Sequence, residues 1–292
     1  MKFTPPLPDQ ITRATQGDLA ALDAVIVAIQ PGIFNLAVRM LGNRDDAADA
    51  TQEILLKAVT HLGTFRGDAA FTTWVFQIAR NHLLTASTRS KESPEVSLEG
   101  MAQRLQEGLD YGETLEDPLG HARVLTPEEK VSARQVALGC TQSMLMALDR
   151  EQRLAYILDT IFGLPSKEAA QVLDITPDAF RQRLTRARAK LDAFTSKTCG
   201  LANPQAACHC ERQLPALAHV RASGQPQAPN IVAIHRTEMA QAAQQLDALV
   251  RLGDAAALMR AHPDYQAPAA QRQAIAAVLH AEGYLGSAPR LQ

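Results

Sequence analysis

A basic stretch past the middle of the chain has the side chains needed to bind nucleic acid. Between Thr176 and Lys190, five cations stand against one acid, Asp178. The cations are Arg181, Arg183, Arg186, Arg188 and Lys190. Guanidinium and ammonium groups bind phosphates, and Arg or Gln side chains also bond base edges in the major groove. We expect Arg181 and Gln182 to contact bases, and Arg186 and Arg188 to contact phosphates. An ordinary solvated basic face is the alternative.

A second group of residues could bind a metal ion. Three thiols and an imidazole lie within twelve residues, at Cys199, Cys208, His209 and Cys210. Such a set can close a tetrahedral shell around zinc, or bind copper(I) with fewer thiolates. Residues 208 to 210 cannot all point one way in a regular helix or strand, so a metal requires an irregular loop. A metal or redox site and inert thiols both stay open, while Cys140, within an apolar helix, is expected in the core.

The composition of the chain indicates a helical protein of more than one domain. Its 292 residues suit two or three domains, and a content of 46% hydrophobic but only 4% aromatic residues favours helices. The net charge of −2 means that any contact with DNA must come from local patches. No signal peptide or uninterrupted membrane-length apolar run is visible, so we expect a cytoplasmic protein without membrane insertion. We find no P-loop, nucleophile elbow or HExxH motif, and therefore predict no enzyme.

The basic stretch is expected to be the second helix of a helix-turn-helix. Residues 164–191 suggest two helices joined by a tight turn, with Ser166 as the cap of the first. Thr176 can cap the second helix, and Pro177 suits its first position. An apolar stripe on the second helix then faces the core: Phe180, Leu184, Ala187 and Leu191.

The N-terminal part of the chain predicts a separate helical domain over residues 10–90. One helix begins with acids at Asp45 and Asp46, which suits the positive end of the helix dipole. A later helix starts near Ala70 and contains Trp74, which we expect to be a core residue.

Three stretches of the sequence, in order, resemble one known family. Residues 45–58, 65–81 and 181–191 are similar to regions two and four of extracytoplasmic-function (ECF) sigma factors, small members of the sigma-70 family of bacterial RNA polymerase. The similarity extends over roughly residues 15 to 195. It implies an all-α fold of two domains, region 2 at 10–90 and region 4 at 126–196, with core RNA polymerase and promoter DNA as partners. An anti-sigma factor is a further candidate partner, and the sequence does not decide whether there is one.

The resemblance also implies roles for particular residues. The acidic helix would dock on the polymerase through Asp46, Asp49, Gln52 and Glu53. The next helix would open the minus-10 promoter element with Arg66, Arg80, Asn81 and His82. The basic helix would then recognise the minus-35 element through Arg181, Gln182, Arg183, Arg186 and Arg188. No cofactor is required for these roles, although zinc or copper at the cysteine cluster remains open.

The remaining segments are expected to connect or regulate the two domains. Residues 91–125 are acidic with little apolar periodicity, which predicts a flexible linker. Residues 197–230 are expected to form the cysteine loop and a linker, and residues 231–292 a small helical extension. Two or three short helices bury little surface alone, so we expect the extension to dock on the sigma domains or on polymerase.

Two other functions are compatible with parts of the sequence. A stand-alone helix-turn-helix regulator would bind duplex operators without recruiting core polymerase. An enzyme or metal-storage module would use the cysteine loop and need the helices only as a scaffold.

Overall fold

The computed structural model describes residues 5–86, 97–115, 125–223, 236–249 and 254–268, together with Ile275 and Ala277. Over these ranges the protein consists of helices and loops, and the only extended pairing is an isolated bridge between Cys199 and Cys208. The prediction of an all-α fold is therefore confirmed.

Four helices form the N-terminal domain. They are α1 (Pro8–Thr15), α2 (Leu19–Leu41), α3 (Arg44–Thr60) and α4 (Phe71–Ala86). The side chain of Asp18 caps α2 at its start, and Gly42 ends it with a left-handed φ of 71° that a residue with a Cβ rarely adopts. The side chain of Asn43 then caps α3. Caps at both sides of this junction explain why the chain turns sharply between two long helices.

The central helix of this domain is unusually apolar. By length and composition α2 could cross a membrane, but 67% of its most apolar window is buried inside the protein. It contains Pro31 and packs against α1, α3 and α4. This degree of burial is typical of the core helix of a folded domain, and the other helices of the domain pack around α2.

The segment predicted as a flexible linker contains a helix. Residues Leu98–Glu113 form α5, which Ser97 caps by accepting a hydrogen bond from the amide of Gly100 at 2.9 Å. The prediction of a flexible linker was therefore wrong for residues 98–113. A few apolar contacts are enough to stabilise a helix there, because a partner helix packs against it. Gly108 of α5 lies so close to Gln213 that a Cβ at this position would collide with the side-chain amide oxygen of Gln213. The rest of residues 91–125 lies largely outside the described ranges.

The helix-turn-helix lies in a bundle of four helices. These are α6 (Pro127–Met146), α7 (Arg150–Tyr156), which continues as a π-helical turn (Ile157–Ile161), α8 (Ser166–Leu173) and α9 (Pro177–Thr198). Ser166 begins α8 rather than capping it, since the cap position is Pro165 and no side chain bonds there. The predicted cap at Thr176 is present: its hydroxyl accepts from the amide of Ala179 at 3.2 Å.

Three further helices follow the cysteine loop. A 3-10 turn (Cys210–Gln213) leads into α10 (Leu214–Ala222), and α11 (Arg236–Leu249) and α12 (Ala255–Arg260) come later. The predicted linker thus begins with a helix, α10. Of the third helix predicted in the extension, only Ile275 and Ala277 fall within the described residues, and both are helical. The domain boundaries given above stay a prediction.

The two sigma-like domains pack against each other. The rings of Phe76 on α4 and Phe162 after the π-helical turn meet edge to face at 5.3 Å. The amide of Gln77 donates to the carbonyl oxygen of Gln171 on α8 at 2.9 Å. Both domains therefore share one apolar core.

Candidate functional site

The basic helix α9 has the geometry expected of a recognition helix. Asp174 adopts a left-handed φ of 55° at the end of α8, which makes the turn tight. The predicted stripe of Phe180, Leu184, Ala187 and Leu191 is buried, with at most 5% of each residue exposed. Its burial leaves the polar side of α9 toward solvent.

The cations of α9 differ in whether they form ion pairs with acidic side chains. Arg183 forms an ion pair with Glu151 at 2.6 Å, and Arg188 forms one with Asp159 at 2.5 Å. Arg181 pairs with Asp178 on its own helix. Gln182 and Arg186 are exposed, and Arg186 has no ion pair within the part of the chain that the structure describes. Arg186 is thus the cation on this surface most available to a phosphate.

The acidic residues of α3 lie along one exposed face. Asp46, Asp49 and Glu53 are exposed and spaced at three and four residues, so that they share one side of the helix. Gln52 beside them is half-buried. None of the three carboxylates forms an ion pair with another described residue. This face can therefore accept basic side chains from a partner.

The residues expected to contact the minus-10 element lie on and before α4. Arg66 is exposed in the loop before the helix. Arg80 donates to the Asn81 side-chain oxygen at 2.9 Å, and its buried Nε has no partner. His82 lies 3.2 Å from the Lys57 ammonium. Arg80, Asn81 and His82 thus place cationic, amide and imidazole groups next to one another in the C-terminal half of α4, whereas Arg66 lies before the N-terminal end of that helix.

Trp74 belongs to an aromatic cluster at the start of α4. Its ring lies 5.6 Å from the Phe65 ring and 5.5 Å from the Phe71 ring. Trp74 is half-buried and packs against the apolar core without being one of its buried residues, so the prediction of a core residue holds only in part.

The four predicted metal ligands of the cysteine loop do not form a metal site within the described residues. Cys199, Cys208 and Cys210 line one small cavity, whereas the His209 ring lies over Gly200. Cys140 on α6, which was predicted to be a core residue, lines the same cavity and is only partly buried. As placed, no three His, Cys, Asp or Glu side chains within the described ranges are grouped closely enough to hold a metal ion.

The C-terminal segment, residues 236–268, makes contacts that sequence inspection missed. Asn35, Arg39 and Arg44, all on α2 or α3, bond to it through buried or partly buried groups. Arg44 pairs with Glu238 at 2.9 Å, and Glu238 is only 3% exposed. Asn and Arg among the apolar residues of α2 were the available signal, because buried polar groups require partners.

On the other side, the segment contacts the helix-turn-helix domain. His262 lies 2.6 Å from the Thr141 hydroxyl on α6, and its other ring nitrogen lies 2.6 Å from the Tyr265 hydroxyl. Helix α12 also packs against α9 and the π-helical turn. One short segment thus bonds to both domains.

Comparison with known proteins identifies matches for both domains. The models of sigma-70 region 2 and sigma-70 region 4 match residues 25–92 and 138–191. The RNA polymerase sigma-H factor of Pseudomonas aeruginosa is 28% identical over 186 residues, which are 62% of this chain and 90% of that protein. The ECF RNA polymerase sigma-E factor of Escherichia coli K12 is 29% identical over 192 residues, 64% of this chain and 93% of that protein. A solved structure of CnrH in complex with the cytosolic domain of CnrY matches with 23% identity and a TM-score of 0.43, covering 64% of this chain and 96% of that one.

Proposed function

The chain belongs to the ECF group of the sigma-70 family, and we propose that it directs core RNA polymerase to its promoters under the control of its own C-terminal segment. Sigma factors are transcription initiation factors and need no cofactor. The protein would act in the cytoplasm and leave all chemistry to the polymerase.

The observation that supports this function best is the pairing of two different surfaces in one chain. Helix α9 presents a basic face with Arg186 free, and α3 presents an acidic face with Asp46, Asp49 and Glu53 free of ion pairs with other described residues. A stand-alone regulator needs only the first. A sigma factor needs both, because it binds DNA through cations and a protein partner through complementary charge.

Each surface then has a distinct role. The acidic face of α3, with Gln52, would bind the polymerase. Arg66, Arg80, Asn81 and His82 would contact the single strand of the minus-10 element, because cations bind its backbone and planar groups bind its bases. Arg181, Gln182, Arg183, Arg186 and Arg188 would contact the minus-35 duplex, where Arg183 and Arg188 must first leave their acidic partners.

The closed packing of the two domains is incompatible with simultaneous binding to both elements. The element names imply a separation of about 25 base pairs, which is about 85 Å at about 3.4 Å per pair. Helix α4, however, contacts α8 directly, and α9 follows α8 after a tight turn. The two domains therefore have to separate before the promoter is bound.

The C-terminal segment opposes this separation. It bonds to α2 and α3 in the first domain and to α6 in the second, largely through buried groups. We infer that the segment is inhibitory, and that binding to core polymerase must displace it. An anti-sigma factor would then be a second means of control, acting on surfaces that the segment leaves exposed.

Single-round transcription tests the proposed function. The purified full chain is mixed with core polymerase and a pool of genomic promoter fragments. Discrete transcripts that depend on the chain, together with core binding, are expected. Binding to duplex operators without core binding or transcripts would instead identify a stand-alone regulator.

A further inference from the structure

Helix α5 is docked on the 3-10 turn and the helix that follow the cysteine loop. The Gln213 side-chain amide donates to the Leu105 carbonyl oxygen at 2.8 Å, and the ring centroids of Tyr111 and of His219 on α10 lie 4.7 Å apart. Both α10 and the 3-10 turn before it pack along α5. Part of the chain that joins the two sigma-like domains is thus held by residues that come after the second of them.

The face of α5 that makes this contact contains two glycines. Gly108 and Gly112 are buried, and because they are four residues apart they lie on one side of the helix. A Cβ at Gly108 would collide with the Gln213 side chain, and one at Gly112 would stand 3.6 Å from the Arg212 carbonyl oxygen. Glycine disfavours the interior of a helix. Two glycines at the contact therefore indicate that α5 is adapted to close docking rather than to helical stability.

The partner of α5 is fastened to the helix-turn-helix domain. Helix α6 packs against the 3-10 turn and α10. The Gly200 amide donates to the Cys208 carbonyl oxygen at 2.8 Å, and the Asn203 side-chain amide donates to the Ser196 carbonyl oxygen on α9 at 2.7 Å. These bonds tie the cysteine loop to the end of α9. The docked α5 therefore moves with the helix-turn-helix domain.

The covalent connection that remains between the two domains is then short. From Ala86, the end of α4, to Ser97, the cap of α5, the chain advances eleven residues, which span at most about 40 Å. The helix-turn-helix domain, residues 127–198, is about 30 Å across and extends the reach when it lies in line with the stretched chain. The reach of about 70 Å stays below the 85 Å, approximately, that separates the two promoter elements.

Release of α5 removes this limit. As a free helix, α5 spans about 24 Å at about 1.5 Å per residue. The eleven residues before it and the fourteen that lead from Glu113 to Pro127 together span up to about 90 Å. The connection then exceeds the distance between the elements, even when α5 stays helical. Undocking of α5 is therefore enough to let both domains reach the promoter.

We propose that α10 and the 3-10 turn form a second autoinhibitory contact, which holds α5 and keeps the domains too close together to bind both promoter elements. The inference rests on the proposed function, in which the two domains bind the two elements at once. The contact differs from that of the C-terminal segment, residues 236–268. The segment bonds the domains to each other, whereas α10 shortens the chain between them. Both contacts have to open, so their inhibitory effects add.

A leucine at the centre of the contact tests the proposal. Gly108→Leu should undock α5 without removing its helix, because leucine is a strong helix former and too large for this position. We expect hydrogen exchange in α5 and α10 of the full chain to accelerate about tenfold or more. Transcription at a limiting concentration of core polymerase should rise about threefold or more. Gln106→Leu, on the exposed side of α5, is the control and should change neither quantity.

A longer connection tests the argument from reach directly. About 20 Gly and Ser residues inserted between Lys91 and Glu92 add up to about 70 Å of chain while α5 stays docked. The insertion should raise transcription without accelerating exchange in α5. Combined with Gly108→Leu, it should give no more than the larger of the two single effects, because either change alone removes the same limit.

The outcomes separate this inference from the proposed function. If exchange in α5 accelerates while transcription stays constant, or if the insertion and Gly108→Leu act additively, the second contact is not inhibitory in the way proposed. Chain-dependent transcripts from the unaltered protein would still support the sigma function in that case, whereas their absence from every variant would remove both. Gln213→Ala, which removes the bond to the Leu105 carbonyl, takes the place of Gly108→Leu if that variant fails to fold.

Discussion

The side chain of Asn35 on α2 exchanges two hydrogen bonds with the backbone of Tyr265, 230 residues later. Its amide nitrogen donates to the Tyr265 carbonyl oxygen at 2.8 Å, and its oxygen accepts from the Tyr265 amide at 2.8 Å. The same oxygen accepts from Arg39 at 2.7 Å. The buried side chain of Asn35 thus pairs with the Tyr265 backbone in the way that a neighbouring β-strand would. It satisfies both the amide and the carbonyl group of Tyr265.

Replacement of Asn35 by alanine should release the C-terminal segment. It leaves the buried amide and carbonyl of Tyr265 without partners, at a cost of about 1–3 kcal/mol for each group. We expect at least tenfold faster hydrogen exchange in α11 and α12, and more transcription at a limiting concentration of core polymerase. Asp23→Ala, on the exposed side of the same helix, is the control and should change neither. Faster exchange with unchanged transcription would contradict the inhibitory role of the segment.

The docking of the segment should depend on pH through His262. Burial, reinforced by nearby Arg39, lowers the pKa of His262 from 6.5 to about 3. The Thr141 hydroxyl donates to backbone carbonyls, so we assign the Nε2 proton to the His262–Thr141 bond and let the Tyr265 hydroxyl donate to Nδ1. The imidazole is thus bound in its neutral form.

The direction of this pH dependence follows from the difference in proton uptake between the docked and the opened segment. Below pH 6.5 the opened segment binds a proton that the docked one does not, so docking weakens as the pH falls toward 3 and is constant above about 6.5. The slope is up to about 1.4 kcal/mol per pH unit. This slope is measured by urea unfolding of the native protein and of His262→Gln between about pH 3 and 6.5. The difference between the two unfolding free energies at each pH cancels the contribution of the other titrating groups. Equal slopes in the two proteins would contradict the prediction.

Sequence inspection was informative where local rules decide the structure. The cap at Thr176, the proline after it and the buried stripe of α9 follow from residue types at fixed spacing. The cavity that unites Cys140 with the cysteine loop depends on how separate helices pack, which no local pattern encodes. Helix α5 was missed for the same reason, since its stabilising partner lies about a hundred residues later, at Gln213.

Arg153 should be essential for stability because it connects the ends of two helices. Its guanidinium donates to the carbonyl oxygens of Met40 on α2 and Leu145 and Met146 on α6, at 2.6, 2.8 and 2.7 Å. Burial lowers its pKa to about 10, so it stays charged at neutral pH and favours the negative helix ends. Arg153→Lys cannot reach all these carbonyls and should cost about 2–3 kcal/mol in the free energy of unfolding. Arg186→Lys, at an exposed position of α9 with no ion pair among the described residues, should cost less than about 0.5 kcal/mol in the same urea titration.

The acidic face of α3 should determine affinity for core polymerase. Asp49→Ala combined with Glu53→Ala removes two exposed carboxylates that have no ion pair among the described residues, so the fold should keep its stability. We expect core affinity to fall by about tenfold or more, chiefly at low salt, because charge complementarity is lost. The affinity is measured by fluorescence titration of labelled protein with core. Asp23→Ala is again the matched control, and equal affinity in the double variant would place the polymerase contact elsewhere.

The basic face of α9 should determine binding to the minus-35 duplex, with Arg186 as its most available cation. Arg186→Ala in the holoenzyme should weaken binding to promoter duplexes of different sequence alike, and reduce the slope of log affinity against log salt by about 1. Adding Arg188→Ala should increase the loss only if Arg188 leaves Asp159 to reach a phosphate. Lys197→Ala removes an exposed cation from the end of the same helix and serves as the control. Anisotropy titrations at several salt concentrations measure both quantities, and an unchanged slope in Arg186→Ala would remove this residue from the DNA interface.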